Sequence, residues 1–180
     1  MKLDGPLADR DAWRAMRCSI DLALTVVGTR SAMLLLREAF YGTTRFHDFA
    51  SRVGITEAVA ASRLKDLVEI GVFEKRPYRE EGQRTRHEYL LTDKGRALLP
   101  AILALMQWGD AYLQDDGGPL QVVEDSTGAP VRVQVCTADG AEVPLDELRV
   151  RKARRRPRRQ HVTEPSLAIR HPASGSPADE

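Results

Sequence analysis

Apolar and polar positions repeat at the helical period over residues 56–70, and this segment organises the interpretation of the chain. One face of the predicted helix is apolar and collects Ala60, Leu64, Leu67 and Val68. The opposite face collects Ala58, Ala61, Ser62, Lys65 and Glu69. The apolar face predicts contact with a core. The other face is slim enough to enter a groove about 12 Å wide, the width of the DNA major groove, although an ordinary amphipathic surface helix has the same pattern.

The segments on either side favour a DNA-binding role. Residues 46–53 predict a short helix that ends at Gly54, and a tight turn leads into the helix over 56–70, which is the pattern of a helix-turn-helix. Residues 72–76 and 86–91 then read as two paired strands. The charged loop between them resembles the wing of a winged helix, so the second helix is expected to be the recognition helix.

Arginines are concentrated on this predicted hairpin, at Arg76, Arg79, Arg84 and Arg86. In a wing they would contact phosphates or enter the minor groove. The alternative is a solvated hairpin in which Glu80 and Glu81 simply balance the positive charge.

Further helices are predicted over residues 7–17, 19–27 and 31–41, and a long one over residues 92–114. The last is apolar nearly all round, with Pro100 as an expected kink, and therefore needs a partner. We expect a second copy of the chain to cover it, together with the N-terminal helix that carries Trp13. Packing within one monomer is the alternative.

The remaining chain changes character twice. Short alternating runs over residues 117–150 predict a small β-meander. Beyond it the chain is rich in proline, serine and arginine and is expected to be disordered. Residues 149–159 hold eight basic residues and no acid, whereas the net charge of the whole chain is +1. This basic tail either binds DNA without reading sequence or folds back on the acidic body.

Composition excludes several classes of protein. The chain carries no apolar stretch long enough to cross a bilayer, so a cytoplasmic protein without a membrane partner is expected. The two cysteines, Cys18 and Cys136, form neither a disulfide framework nor a metal site. The four histidines lie in no ligand or triad spacing, and no phosphate-binding glycine loop occurs. We expect no cofactor, no metal and no enzymatic activity.

An ordered set of motifs between Cys18 and Trp108 resembles the HxlR-type winged helix-turn-helix transcriptional regulators, which are MarR-like. The set consists of Cys18, Val27-Gly28-Thr29-Arg30, Leu34-Leu35-Leu36-Arg37-Glu38, Gly42-Thr43-Thr44-Arg45-Phe46, Ile55-Thr56, Arg63-Leu64-Lys65-Asp66-Leu67, Gly71-Val72-Phe73, Arg86-His87-Glu88-Tyr89-Leu90-Leu91-Thr92 and Gly95-Arg96. Thr29-Arg30 replaces the Lys-Trp of the family pattern, and Glu57 stands at the start of the recognition helix.

The resemblance implies an α+β fold, mainly α with a β wing. Together with the change in residue pattern after residue 116, it divides the chain into three parts. These are an HxlR-type DNA-binding and dimerisation domain over residues 1–116 that ends in a long dimerisation helix, a β appendage over 117–150, and a disordered basic tail over 151–180. The implied function is transcription regulation, as a homodimeric repressor on an inverted-repeat operator in double-stranded DNA. A winged-helix module for protein interaction without DNA binding is the alternative.

The residues expected to contact DNA share an exposed position on the recognition helix, before the preceding helix, or on the wing. They are Arg45, Thr56, Ala58, Ala61, Ser62, Arg63, Lys65, Arg76, Arg79, Arg84 and Arg86. The family resemblance also implies a small-molecule or electrophile effector. Cys18 matches a cysteine through which some members sense oxidants, and a small packing residue is the alternative interpretation.

Overall fold

The computed structural model describes residues 1–11, 14 and 17–153. Its helices are α1 (Ser19–Val27), α2 (Arg30–Phe40), α3 (Phe46–Val53), α4 (Glu57–Glu69), α5 (Asp93–Arg96) and α6 (Leu99–Tyr112). Its strands are β1 (Lys2–Leu3), β2 (Phe73–Tyr78), β3 (Arg86–Leu91) and β4 (Arg149–Val150). The predicted fold, mainly α with a small antiparallel β hairpin, is confirmed.

The core lies between α2, α3, α4 and the β2–β3 hairpin. Phe49 of α3 and Phe73 of β2 are 0% and 1% exposed, and their rings meet edge to face with centroids 5.9 Å apart. Around them pack buried aliphatic side chains, namely Leu35, Leu36, Val53, Leu64, Leu67 and Val72. The apolar face predicted for residues 56–70 is therefore the face that holds α4 in place.

The helix-turn-helix depends on a glycine and a threonine between α3 and α4. Gly54 ends α3 with φ 69°, a left-handed conformation that costs other residues about 1–2 kcal/mol. Thr56 then caps α4, where its hydroxyl oxygen accepts a hydrogen bond of 3.3 Å from the backbone N–H of Val59. Together they fix the angle at which α4 leaves α3.

The wing is the β2–β3 hairpin, in register from Phe73 opposite Leu91 to Tyr78 opposite Arg86. A third segment, which the sequence pattern did not predict, joins this sheet. The backbone N–H of Tyr89 donates to the carbonyl of Thr44 at 2.8 Å, and Arg45 forms an isolated β-bridge with Glu88. The base of the wing is thus tied to the loop that precedes α3.

The predicted continuous helix over residues 92–114 is wrong in one respect, because the chain breaks between α5 and α6. Thr92 caps the single turn of α5 by accepting from the backbone N–H of Gly95 at 3.1 Å. Pro100 lies in the first turn of α6, where its missing N–H leaves no hydrogen bond unmade. In a continuous helix its ring would collide with the carbonyl of Arg96.

The predicted β-meander over 117–150 is also corrected. In this segment, all of which is described, each of two narrow hairpins has one isolated bridge, Val123 with Pro130 and Cys136 with Glu142. The side-chain amide of Gln107 on α6 donates to the carbonyl of Val131 at 2.8 Å and accepts from the N–H of Val133 at 3.0 Å. These are backbone groups that would bond to a neighbouring strand in a meander.

The two ends of the described chain meet. Strand β1 pairs in parallel with β4, with Lys2 opposite Arg149. Where it is described, the helix predicted over residues 7–17 is absent: a 3₁₀ helix, Gly5–Leu7, buries Leu7 and is followed by bends and turns. The burial of Leu7 in this 3₁₀ turn fixes the described start of the segment outside an α-helix. Trp13, and the tail from residue 154 onward, lie outside the described residues.

Within the described residues, no single helix is long and apolar enough to cross a membrane. Helices α1 and α2 would be long and apolar enough only when taken together, and they are bent by 79° relative to each other.

Replacing Gly95 with alanine is expected to lower the free energy of unfolding by about 1–3 kcal/mol, the typical cost of overpacking. A Cβ at this position would lie 2.3 Å from the backbone carbonyl oxygen of Val72, a group that cannot turn away. Gly109→Ala in α6 is the matched control, since a Cβ there meets nothing within 4 Å. Chemical denaturation should show the loss in the first variant alone, and equal stability of the two would contradict this close packing.

Candidate nucleic-acid interface

The outer face of α4 is exposed and consists mostly of small side chains. Ala58, Ala61, Ser62 and Lys65 are all exposed, whereas Ala60 and Leu64 on the opposite face are 0% exposed. The predicted division of this helix into two faces is therefore confirmed. A face of this width and polarity can approach base edges without a side chain blocking the backbone.

Ion pairs surround this face without covering it. Lys65 Nζ lies 3.6 Å from Glu69 Oε1, and Arg63 Nη1 lies 3.1 Å from Asp66 Oδ2. All four side chains are at least 40% exposed, and such surface pairs contribute at most about 1 kcal/mol. Both cations can therefore exchange their carboxylate for a phosphate at small cost.

The N-terminus of α4 carries an acid, Glu57. Its Oε1 lies 3.4 Å from Nδ1 of His47 on α3, and both side chains are well exposed. This contact joins the two helices of the helix-turn-helix at the edge that would face a phosphate backbone.

The four wing arginines fall into two groups. Arg76 Nη2 lies 2.6 Å from Glu74, and Arg79 Nε donates to the backbone carbonyl of Gln83 at 3.1 Å, which closes the tip of the wing. Arg84 and Arg86 are exposed and, within the described chain, have no ion-pair partner. The wing therefore offers two uncompensated cations at its far end.

Arg45 is placed differently from the other predicted contacts. Its guanidinium carbon lies 3.4 Å from the centroid of the Tyr78 ring, and its Nη1 lies 3.6 Å from Glu80 Oε1. That Nη1 is buried and has no hydrogen-bond acceptor within the described residues. The side chain joins the start of α3 to the wing, and only its exposed remainder is open to a phosphate.

A cleft of about 600 Å³ lies between the start of α3 and the wing. Arg45, His47, Lys75, Arg86 and His87 line it. Lys75 was missing from the sequence prediction, yet it lines this cleft. Tyr89 also lines this cleft, and burial raises the pKa of its phenol above the ordinary value.

Cys18 precedes α1 at its N-cap position and is partly buried. Its side chain makes no capping hydrogen bond. Its sensor role stays a prediction.

Taken together, a helix-turn-helix with an open second helix, followed by a basic hairpin tied to its base, defines a winged helix-turn-helix protein. Comparison with known proteins places it more narrowly. The HxlR-like helix-turn-helix family model matches residues 26–117. The chain belongs to this family, and it is a DNA-binding transcriptional regulator of the helix-turn-helix type. Its family and fold are those of transcription regulators rather than enzymes.

Named relatives agree with this assignment. The chain is 44% identical over 128 residues to the uncharacterized HTH-type transcriptional regulator Rv3095 of Mycobacterium tuberculosis, covering 69% of this chain and 79% of the relative. The crystal structure of PA1607, a candidate transcription factor, is 37% identical and superposes with a TM-score of 0.68 over 77% of this chain and 96% of its own. PA1374, a candidate transcription factor from Pseudomonas aeruginosa, gives 33% identity and a TM-score of 0.54 over 76% and 92%.

Proposed function

We propose that the protein is a homodimeric repressor that inserts α4 of each protomer into successive major grooves of an inverted-repeat operator. The observation that carries this proposal is the outer face of α4, which is exposed, small and flanked by the basic wing. Two such faces related by a two-fold axis match two half-sites about one helical turn apart.

The uncovered apolar surface supports the dimer. Helix α6 has no buried residue, and Leu105, Trp108 and Tyr112 on one side of it are 56%, 54% and 73% exposed. Helix α1 likewise exposes Ile20 at 70% and Leu24 at 57%. Apolar side chains gathered at helical spacing indicate an interface. A second copy is the occupant that also gives the two-fold symmetry of an operator.

Phosphate contacts supply the affinity in this proposal. Arg84 and Arg86 at the end of the wing have no carboxylate partner among residues 1–11, 14 and 17–153, and Arg63 and Arg76 would leave weak exposed pairs. Each neutralised phosphate steepens the dependence of log K on log salt by about 0.9. The base contacts of Ser62 and Lys65 then select the sequence, whereas the wing sets the position of the protein on the duplex.

Replacing Lys65 with alanine tests the assignment of α4. If Lys65 holds a phosphate, the salt slope should fall by up to about one unit; if it reads a guanine, binding should weaken by about 1–3 kcal/mol with relaxed specificity. Fluorescence anisotropy on the promoter of the protein's own gene, at several salt concentrations, measures both. Lys2→Ala, an exposed lysine on β1, is the charge-matched control.

An unchanged affinity and salt slope in Lys65→Ala would remove α4 from the interface. A wild-type protein that binds no DNA at all would instead favour the alternative, a winged-helix module for protein interaction, for which the exposed Glu57 and Glu69 at the ends of α4 are better suited.

A further inference from the structure

Helix α6 has a second functional face, which turns toward the appendage. At 100° per residue, Met106 and Asp110 lie on the side of the helix away from Leu105, Trp108 and Tyr112. They border two adjoining cavities of about 480 and 410 Å³, which share Met106, Asp110 and Leu120. Of the three residues in the apolar stripe proposed for dimerisation, Leu105 also borders the larger cavity, whereas Trp108 and Tyr112 border neither cavity. The proposed dimer would therefore leave Met106 and Asp110 uncovered.

The larger cavity lies between α2, α6 and the start of the appendage. Its apolar walls are Tyr41, Leu105, Met106, Pro119 and Leu120. Its charged groups are Arg37, Glu38 and Asp110. Pro119 and Leu120 lie beyond the residues that the family model matches, which end at 117. The appendage therefore adds one wall to the crevice between the two helices.

The charges in the larger cavity do not cancel. Glu38 is 6% exposed, and its carboxylate is neutralised by Arg37, whose Nη2 lies 2.6 Å away. Asp110 is partly buried, and among the described residues no cation lies within ion-pair distance of it. Its one hydrogen bond comes from the side-chain amide of Gln114 at 3.3 Å. Arg132 borders only the smaller cavity.

Gly118 makes room for this carboxylate. A Cβ at position 118 would lie 2.0 Å from Asp110 Oδ1, so any other residue would displace the acid. A partly buried carboxylate without a cation loses part of its solvation, which the single long hydrogen bond from Gln114 replaces only in part. A ligand with a positive charge would compensate the carboxylate of Asp110 for this lost solvation.

We propose that this cavity binds an amphipathic organic cation, a lipophilic amine or onium ion of about two or three rings. Its charged group sits against Asp110, and its apolar part packs on Met106 and Leu120, which border both cavities. An anion is disfavoured because the one uncompensated charge in the cavity is negative. A cavity of about 480 Å³ falls within the size range of small-molecule sites. Use of the site by an effector of DNA binding rests on the proposed function, whereas binding of the cation does not.

The test compares two ligands of nearly the same shape, methyltriphenylphosphonium, which is cationic, and triphenylphosphine oxide, which is neutral. Isothermal titration calorimetry on the full chain, without DNA, should show at least about tenfold tighter binding of the cation, which is about 1.4 kcal/mol. Asp110→Asn keeps the shape of the side chain and should abolish this preference. Asp116→Asn changes the net charge of the protein equally and should preserve it.

Equal binding of the two ligands by the wild type would overturn the proposal, as would a preference for the cation that survives in Asp110→Asn. A preference lost equally in Asp116→Asn would also overturn it, because a general surface potential would then explain the result. Since DNA is absent, none of these outcomes depends on the proposed regulator function.

Discussion

Ala61→Glu is expected to weaken operator binding by at least about 100-fold, since like charges brought together in an interface cost several kcal/mol. Ala61 is exposed at the centre of the outer face of α4, so the substitution adds bulk and a carboxylate where base edges and phosphates would lie. The fold should be unaffected because the side chain touches no core residue. Anisotropy titration of the variant against the wild type measures the loss.

Ala61→Ser is the control for this prediction. Serine is small and neutral, adds a hydroxyl like that of Ser62, and should keep binding within a few-fold of the wild type. Chemical denaturation of both variants shows that they are folded. If the glutamate variant bound the operator as tightly as the serine variant, α4 would lie away from the DNA.

Leu105→Glu is expected to convert the proposed dimer to a monomer and thereby to lower operator affinity strongly. Leu105 is 56% exposed on α6, beside Trp108 and Tyr112, whose rings contact each other with centroids 5.9 Å apart. A carboxylate buried between two copies of this stripe would lose its solvation among apolar side chains, which is costly. Sedimentation equilibrium gives the mass directly.

The matched control is Leu145→Glu, the same substitution at an appendage leucine that is 67% exposed. It should leave both the mass and the DNA affinity of the protein unchanged. A monomeric wild type, or a dimer that survives Leu105→Glu, would contradict the proposed interface.

The helix-turn-helix could be predicted from sequence because its signals are local. The period of apolar residues in α4, the threonine cap at Thr56 and the left-handed Gly54 all act within a few positions of the chain. The structure confirms α3 over the residues predicted and shifts the ends of α4 by one residue. The caps determine these bounds more sharply than helix propensity does.

The features that sequence reasoning missed depend on contacts between distant residues. The aromatic contact of Arg45 is made with Tyr78 on the wing, and no local pattern signals it. The alternating valines after residue 130 predict a strand, yet the amide of Gln107 binds their backbone in place of a strand partner. From sequence, Pro100 was expected to kink one continuous helix, whereas in the structure it lies in the first turn of a new helix, α6.

The central claim is that two copies of α4 read an inverted repeat, and selection of bound sequences from random DNA tests it most directly. This experiment uses the full chain and does not require that the operator be known. The account predicts enrichment of a two-fold symmetric sequence whose half-sites are centred about 10 base pairs apart or a multiple of that distance. Enrichment of a single unsymmetric site, or of no sequence at all, would contradict it.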